Sequence, residues 1–257
     1  MSHSLRLSST LSASLILIVL GAGCGNTASQ PAGSSSPTAS TGQINACANP
    51  YYPLRPGYRV TYQNSANGRA TNYTMEAEDA GSSDQIKLKT TYDGGNKSEQ
   101  LITCGAGGLK TSGFADFNTG LNDRHISSES KRVEGDFLPP DLHVGTSWII
   151  IYDVTLKNSD PAMVSAGLDA IDATYTVTKR VLNQDRITVP AGTFDAFKVS
   201  SLTTVKFHNA SNKATTPAST IDGTEWWVKG KGMMKTIVNA PDGTPNIVSE
   251  ATEVITP

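Results

Sequence analysis

Asp185-Arg-Ile-Thr-Val-Pro-Ala-Gly-Thr-Phe-Asp-Ala-Phe-Lys-Val199, with its continuation Glu225-Trp-Trp-Val-Lys-Gly-Lys-Gly-Met-Met-Lys-Thr-Ile237, decides the fold. Arg186 to Val189 reads as a strand that Pro190 stops, because proline cannot donate to a sheet ladder. Ala191-Gly192 makes the turn. Phe194, Ala196 and Lys198 then alternate with Asp195, Phe197 and Val199, so both faces are apolar in part and suit a strand covered on both sides. Asp222-Gly223 is expected to turn the chain into Trp226-Trp227-Val228. Gly230 and Gly232 form a tight connection into the next strand, from Met233 to Val238.

The same period of two extends outward from this stretch. Tyr58, Val60 and Tyr62 alternate with polar residues, Asn67-Gly68 signals a hairpin, and Tyr73, Met75 and Ala77 continue on its far side. Ile86, Leu88 and Thr90 bracket Lys87 and Lys89 before Asp93-Gly94-Gly95 turns the chain into a strand from Ser98 to Cys104, which Gly105 to Gly108 ends. Gly113 to Glu134 shows no such pattern and reads as loop with short pieces of strand, Phe114 and Phe117 docking on the core. Thr174 to Val181 alternates again. Asp242-Gly243 turns into a last strand around Ile247 to Ile255. Asp160 and Pro161 suit the start of one short helix, which Gly167 ends.

These elements predict an all-β protein: an antiparallel meander forming a curved sheet, open barrel or sandwich, with at most one or two short helices. Leu54-x-x-Gly57-x-x-Val60 and Leu142-x-x-Gly145-x-x-Trp148 each lead from a proline-containing turn into a strand. The domain, residues 46–257, is therefore read as one unit, or as two diverged β units over about 50–135 and 136–257.

Lys and Arg number 21 against 23 Asp and Glu, which gives no basic stripe for a nucleic-acid partner. Charged residues are only 17% of the chain, the balance of an exported β protein rather than a helical cytosolic one. Residues 1–23 read as a signal peptide: His3 and Arg6 precede an apolar run from Leu11 to Leu20, and Gly21-Ala22-Gly23 gives a small-residue exit. That run is about half the ~20 residues that span a bilayer.

Ala22-Gly23-Cys24 resembles the lipobox of bacterial lipoproteins, with Gly21 where leucine is usual and Leu20 one place early. The resemblance implies a diacylglyceryl group on the Cys24 thiol and an N-acyl chain of the palmitate kind. Several chains together anchor a protein stably, at ~0.8 kcal/mol per buried methylene. Gly-Ala-Gly equally suits ordinary signal cleavage. Gly25 to Thr41, nearly all Gly, Ser, Thr, Ala, Asn and Pro, is a tether with too little apolar surface to fold. Residues 24–45 thus form a lipid-anchored linker. Gly25 is not the Asp that holds such proteins in the inner membrane, so the resemblance implies the outer membrane where the source has one. Cys47 and Cys104 remain, paired as a disulfide or left as buried thiols.

Val189-Pro-Ala-Gly-Thr-Phe194, the tryptophan pair and Gly230-x-Gly232 leading into a Lys-bearing strand are together similar to a β domain of unknown function in uncharacterised bacterial lipoproteins. That domain resembles the curved sheet of lipoprotein-carrier folds. The resemblance runs from Pro50 to the C-terminus. Trp227 stands where the family often has tyrosine, and Lys231 where a small or apolar residue is common. The family brings no catalytic residues.

His125, His143 and His208 are far apart and lack metal-ligand spacing, and neither a nucleophile elbow nor a phosphate loop is present. Glu76 and Glu78 share a strand face but read as solvated. Trp148, Trp226 and Trp227 are the candidate ligand surface, weighed against filling the core. Lys229, Lys231 and Lys235 form a local basic patch, or a solvated edge that resists pairing. The reading is a non-enzymatic cell-envelope lipoprotein without cofactor, held at a membrane by its lipid and binding an apolar ligand or envelope component on a curved sheet. Its rival is an assembly factor working through protein contacts; a hydrolase built around His125 or His143 stands third.

Overall fold

The computed structural model describes residues 47–257 apart from 67, 96, 107, 114–125, 159–160, 166–168 and 210–217. The expectations for Cys24, the tether, Asn67, Phe114, Phe117, His125, Asp160 and Gly167 lie outside the described residues. Two short strands, β1 (Ala48–Asn49) and β2 (Tyr52–Pro53), pair with each other. Twelve more make one antiparallel sheet: β3 (Arg59–Ala66), β4 (Arg69–Asp79), β5 (Gln85–Tyr92), β6 (Lys97–Gly105), β7 (Gly108–Thr111), β8 (Ile126–Glu134), β9 (Ser147–Asn158), β10 (Ala170–Val189), β11 (Gly192–Asn209), β12 (Ser219–Val228), β13 (Gly232–Asn239) and β14 (Pro245–Ile255). A five-residue helix, α1 (Pro161–Ser165), is the one helix among the described residues.

The sheet is a meander with one exception: β14 pairs with β13 on one side and with β3 on the other, which leaves β7 and β8 as the two edges. The sheet curls until β7 meets the segment that follows β8. The Leu109 N–H donates to the Leu138 carbonyl at 2.8 Å, and the Phe137 N–H donates to the Leu109 carbonyl at 2.7 Å. The outcome is a nearly closed barrel, the open-barrel form among the shapes anticipated. Closing the seam protects strand edges that would otherwise template pairing with another chain.

Alternation sets the two faces. Tyr58, Val60, Tyr62, Ala77, Ile86, Leu88, Ile102 and Cys104 all point into the concave side and are buried, whereas Lys87 and Glu99 point outward. The main core continues through Val181, Val199, Trp227 and Met234, and a second cluster follows on the same face around Ile150, Tyr152, Ala173, Tyr175 and Val205.

One end of the barrel is stoppered. Residues 47–54 lie across it with Tyr51, Tyr52 and Leu54 buried, and Cys47 joined to Cys104 on β6. Asn49 Nδ2 donates to the Pro139 carbonyl at 3.0 Å, and the Gly230 N–H donates to the Pro50 carbonyl at 2.7 Å. The Tyr52 ring meets Tyr58 and Trp227 edge-on, each with centroids 5.6 Å apart.

The two Leu-x-x-Gly turns are built alike. Tyr58 and Thr146 close them by donating to the Arg55 and His143 carbonyls, both at 2.9 Å. Gly57 and Gly145, with φ of 91° and 95°, then donate to Ala77 and Val181. Positive φ explains the glycine at both places.

Three details depart from the sequence reading. Gly113 to Glu134 contains the nine-residue β8, whose run of Ser, Glu, Lys and Arg hides the alternation because its outer face is charged and its bulge at Ser130/Arg132 breaks the period. Asp222-Gly223 is not a turn but lies inside β12, where a Cβ on Gly223 would sit 3.0 Å from the Ile237 carbonyl. The segments Thr174–Val181 and Arg186–Val189 are one 20-residue strand, β10, with a bulge between Val181 and Asn183.

Candidate functional site

Position 179 lies in the apolar phase of β10: Tyr175, Val177 and Val181 point into the barrel, and so does Lys179. Register places it opposite Ser201 on β11 and places Glu225 of β12 opposite Val199. The two charges therefore meet across β11, over a small serine. Lys179 Nζ donates to both Glu225 oxygens, at 2.7 and 2.9 Å, with the side chains 4% and 12% exposed. Trp227 Nε1 donates to Glu225 Oε2 at 2.9 Å, and the Phe137 ring lies 5.6 Å from the ammonium. Phe137 and Trp227 in turn rest on Tyr52 of the stopper.

Burying two charges costs several kcal/mol per ion before pairing recovers it, so this pair is held by geometry rather than by intrinsic stability. Its partners are complete: among the described residues no buried side-chain polar atom lacks one.

The walls above this pair are aromatic. Tyr62, Tyr73 and Tyr92 stand in one row across β3, β4 and β5, with Tyr62 and Tyr73 stacked at 4.9 Å and Tyr73 and Tyr92 at 5.8 Å. Tyr152 and Tyr175 stand side by side on β9 and β10. Tyr62 Oη donates to the Met233 carbonyl at 2.5 Å and Tyr58 Oη to the Lys231 carbonyl at 2.8 Å. Burial, reinforced by the Glu225 carboxylate, pushes the Tyr152 hydroxyl up to about 12 despite a hydrogen bond with Thr111. Burial likewise raises Tyr52, Tyr58, Tyr62 and Tyr73.

The three candidate tryptophans take different places. Trp227 is buried beside Glu225. Trp148 is half-buried where the two core clusters join, its Nε1 donating to the Phe137 carbonyl at 3.3 Å. Trp226 lies on the opposite face, between the Lys198 and Lys235 ammonium groups at 5.7 and 5.8 Å from its ring. Lys235 is also paired with Glu250 at 2.6 Å, while Lys229 and Lys231 sit in the β12–β13 turn.

His143 is exposed in the second Leu-x-x-Gly turn. His208 belongs to a charged ladder on the outside of β8–β11, where Thr174 contacts it at 3.4 Å and donates to Asp153 at 2.8 Å. Glu78 pairs with Lys89 at 3.0 Å. No group of three or more potential ligands for a metal ion occurs among the described residues.

The sequence reading missed Lys179 and Glu225. Their signal was present: each is a charge in the inward phase of an otherwise apolar strand. Only the register of β10, β11 and β12 shows that they meet.

Two solved structures share the fold. One is a protein inferred to be exported, with a YmcC-like fold, from Bacteroides fragilis: TM-score 0.54 at 15% identity, over 80% of this chain and 99% of that one. The other is an inferred lipoprotein from Parabacteroides distasonis: TM-score 0.52 at 13% identity, over 80% of this chain and 98% of that one. No family model matches the sequence, and no curated protein matches it significantly.

Proposed function

We propose that this protein is a non-enzymatic cell-envelope lipoprotein, anchored through Cys24, that holds an apolar ligand against the concave face of its barrel. The observation that carries the reading is the aromatic lining of that face, with Tyr62, Tyr73 and Tyr92 on one wall and Tyr152 and Tyr175 on another. Aromatic rings offer large apolar surfaces to lipids and similar molecules. Barrel width supports it. Eight strands give an interior that side chains just fill or that holds one small ligand, and diameter grows with strand number. Twelve strands stoppered at one end by residues 47–54 suit an occupant at the other. The exported and lipoprotein descriptions of the two neighbours support the location. The placement of His143 in a turn and His208 on the outer face supports a role without catalysis.

The test has two arms. Protein purified from its own membrane is extracted with organic solvent, and the extract is examined by mass spectrometry. A stoichiometric apolar molecule is expected, and an empty extract overturns the ligand. The mass of the Cys24 peptide is read from the same preparation: a diacylglyceryl and acyl addition is expected, and an unmodified cysteine overturns the anchor.

A further inference from the structure

The outside of the barrel is mostly polar or ion-paired, as in the ladder of β8–β11, where Arg132 meets Asp153 and Lys131 meets Asp172. One region departs from this. Ile149, Thr178 and Leu202 form an outward row across β9, β10 and β11, and Ser147, Arg180 and Ser200 form the adjoining one. Leu182, at the β10 bulge, and Val144, in the neighbouring turn, continue the surface toward the stoppered end. The four aliphatic side chains belong to residues 58%, 52%, 44% and 43% exposed for Val144, Ile149, Leu182 and Leu202. Arg180 is exposed among them, and among the described residues no carboxylate lies within ion-pair distance of its guanidinium. Asp222, beyond Leu202, marks the rim and is held by Asn239 at 2.7 Å.

We infer that this face of β9–β11 lies on an anionic lipid surface, Leu202, Ile149, Leu182 and Val144 reaching the headgroup–acyl boundary and Arg180 meeting a phosphate. The inference rests on the anchored-lipoprotein reading for its motive, and two observations point to a lipid occupant. Charge is the first: an arginine without an ion pair, on a face that also exposes four aliphatic residues, is the composition that anionic interfaces attract. Chain length is the second. The described chain starts at Cys47 in the stopper, whose Tyr51 hydroxyl donates to the Leu142 carbonyl at 3.1 Å, two residues from Val144. The preceding tether, if flexible, spans roughly 25 Å from Cys24, enough to let this face touch the membrane that holds the lipid. The tether is a poor cover for the patch itself, since Gly25 to Thr41 offers almost no apolar side chain beyond alanine and proline.

Photo-crosslinking of the full mature chain tests this. A benzophenone amino acid is placed at Leu202 or, as a control on the opposite wall, at Lys87, and the protein is reconstituted with vesicles of phosphatidylcholine with or without phosphatidylglycerol. Lipid adducts are expected at Leu202 and not at Lys87. Arg180→Gln is expected to lower their yield about fivefold in the anionic vesicles only, the worth of one basic residue at such a surface. Equal adducts at both positions, or adducts to a second copy or another protein in place of lipid, overturn the inference. The Cys24 mass separates the two readings: lipidated protein without adducts at Leu202 overturns the surface alone, whereas adducts with an unmodified Cys24 support the surface and overturn the anchor.

Discussion

Lys179 and Glu225 each owe their position to a register two strands wide, and their energetics are unequal on removal. Glu225→Ala leaves a buried ammonium without its carboxylate and Trp227 Nε1 without its acceptor. The expected loss is ~3–5 kcal/mol of folding stability, measured by urea unfolding. The double variant Lys179→Met/Glu225→Leu is expected to recover most of that loss, because an apolar pair needs no counter-charge. A double variant as unstable as the single one would show that the charge pair is not the cause. The sequence could not show this coupling, because Lys179 and Glu225 are 46 residues apart along the chain. Residues whose roles are local were legible: the glycines of the two Leu-x-x-Gly turns and the Pro190-Ala191-Gly192 corner announce their backbone geometry in their side chains.

At the scale of elements, the stopper is the least self-sufficient piece of the fold. β1 and β2 are two residues each and pair only with each other, so residues 47–54 keep their place by side-chain burial, a few hydrogen bonds and the Cys47–Cys104 link. Cys47→Ser/Cys104→Ser is expected to cost ~4 kcal/mol in the chain-entropy model for a loop of this length, read as a lowered urea midpoint that matches wild type under reductant. An unchanged midpoint would show that burial of Tyr51, Tyr52 and Leu54 suffices. Sequence reading found most of the strands because a half-buried strand writes its period into its residues. It failed where a strand is charged on its outer face and bulged, as in β8. It also failed at Asp222-Gly223, where the glycine answers a close neighbouring carbonyl rather than a bend.

Across the whole molecule, the barrel interior sets a common environment for the tyrosines. Six of the eight, Tyr51, Tyr52, Tyr58, Tyr62, Tyr73 and Tyr152, have their hydroxyls raised above the ordinary value near 10, with burial the largest cause for each. The sign follows from linkage. The unfolded chain loses these protons near pH 10 while the folded one keeps them, so the stability is intact below pH 10 and falls as pH rises from 10 toward 12 and beyond. Absorbance at 295 nm should show few tyrosines ionising near pH 10 and the rest together with loss of near-ultraviolet circular dichroism. Full ionisation near pH 10 with the fold intact would contradict the buried arrangement. Of the whole, the all-β class and the curved open sheet were legible from turns and alternation. The joining pair in the middle of the sheet, β14 with β3, was not, since no local pattern says which distant strands will be neighbours.

That pair also has a meaning in time. A strand meander can grow hairpin by hairpin as the chain emerges, yet β3 and β13 stay unjoined until residues 245–255 have arrived between them. Strands near the start of the domain must therefore wait for those near its end. Such long-range pairing is slow to form and leaves edges open meanwhile. Completion of the barrel is thereby tied to the arrival of its last strand.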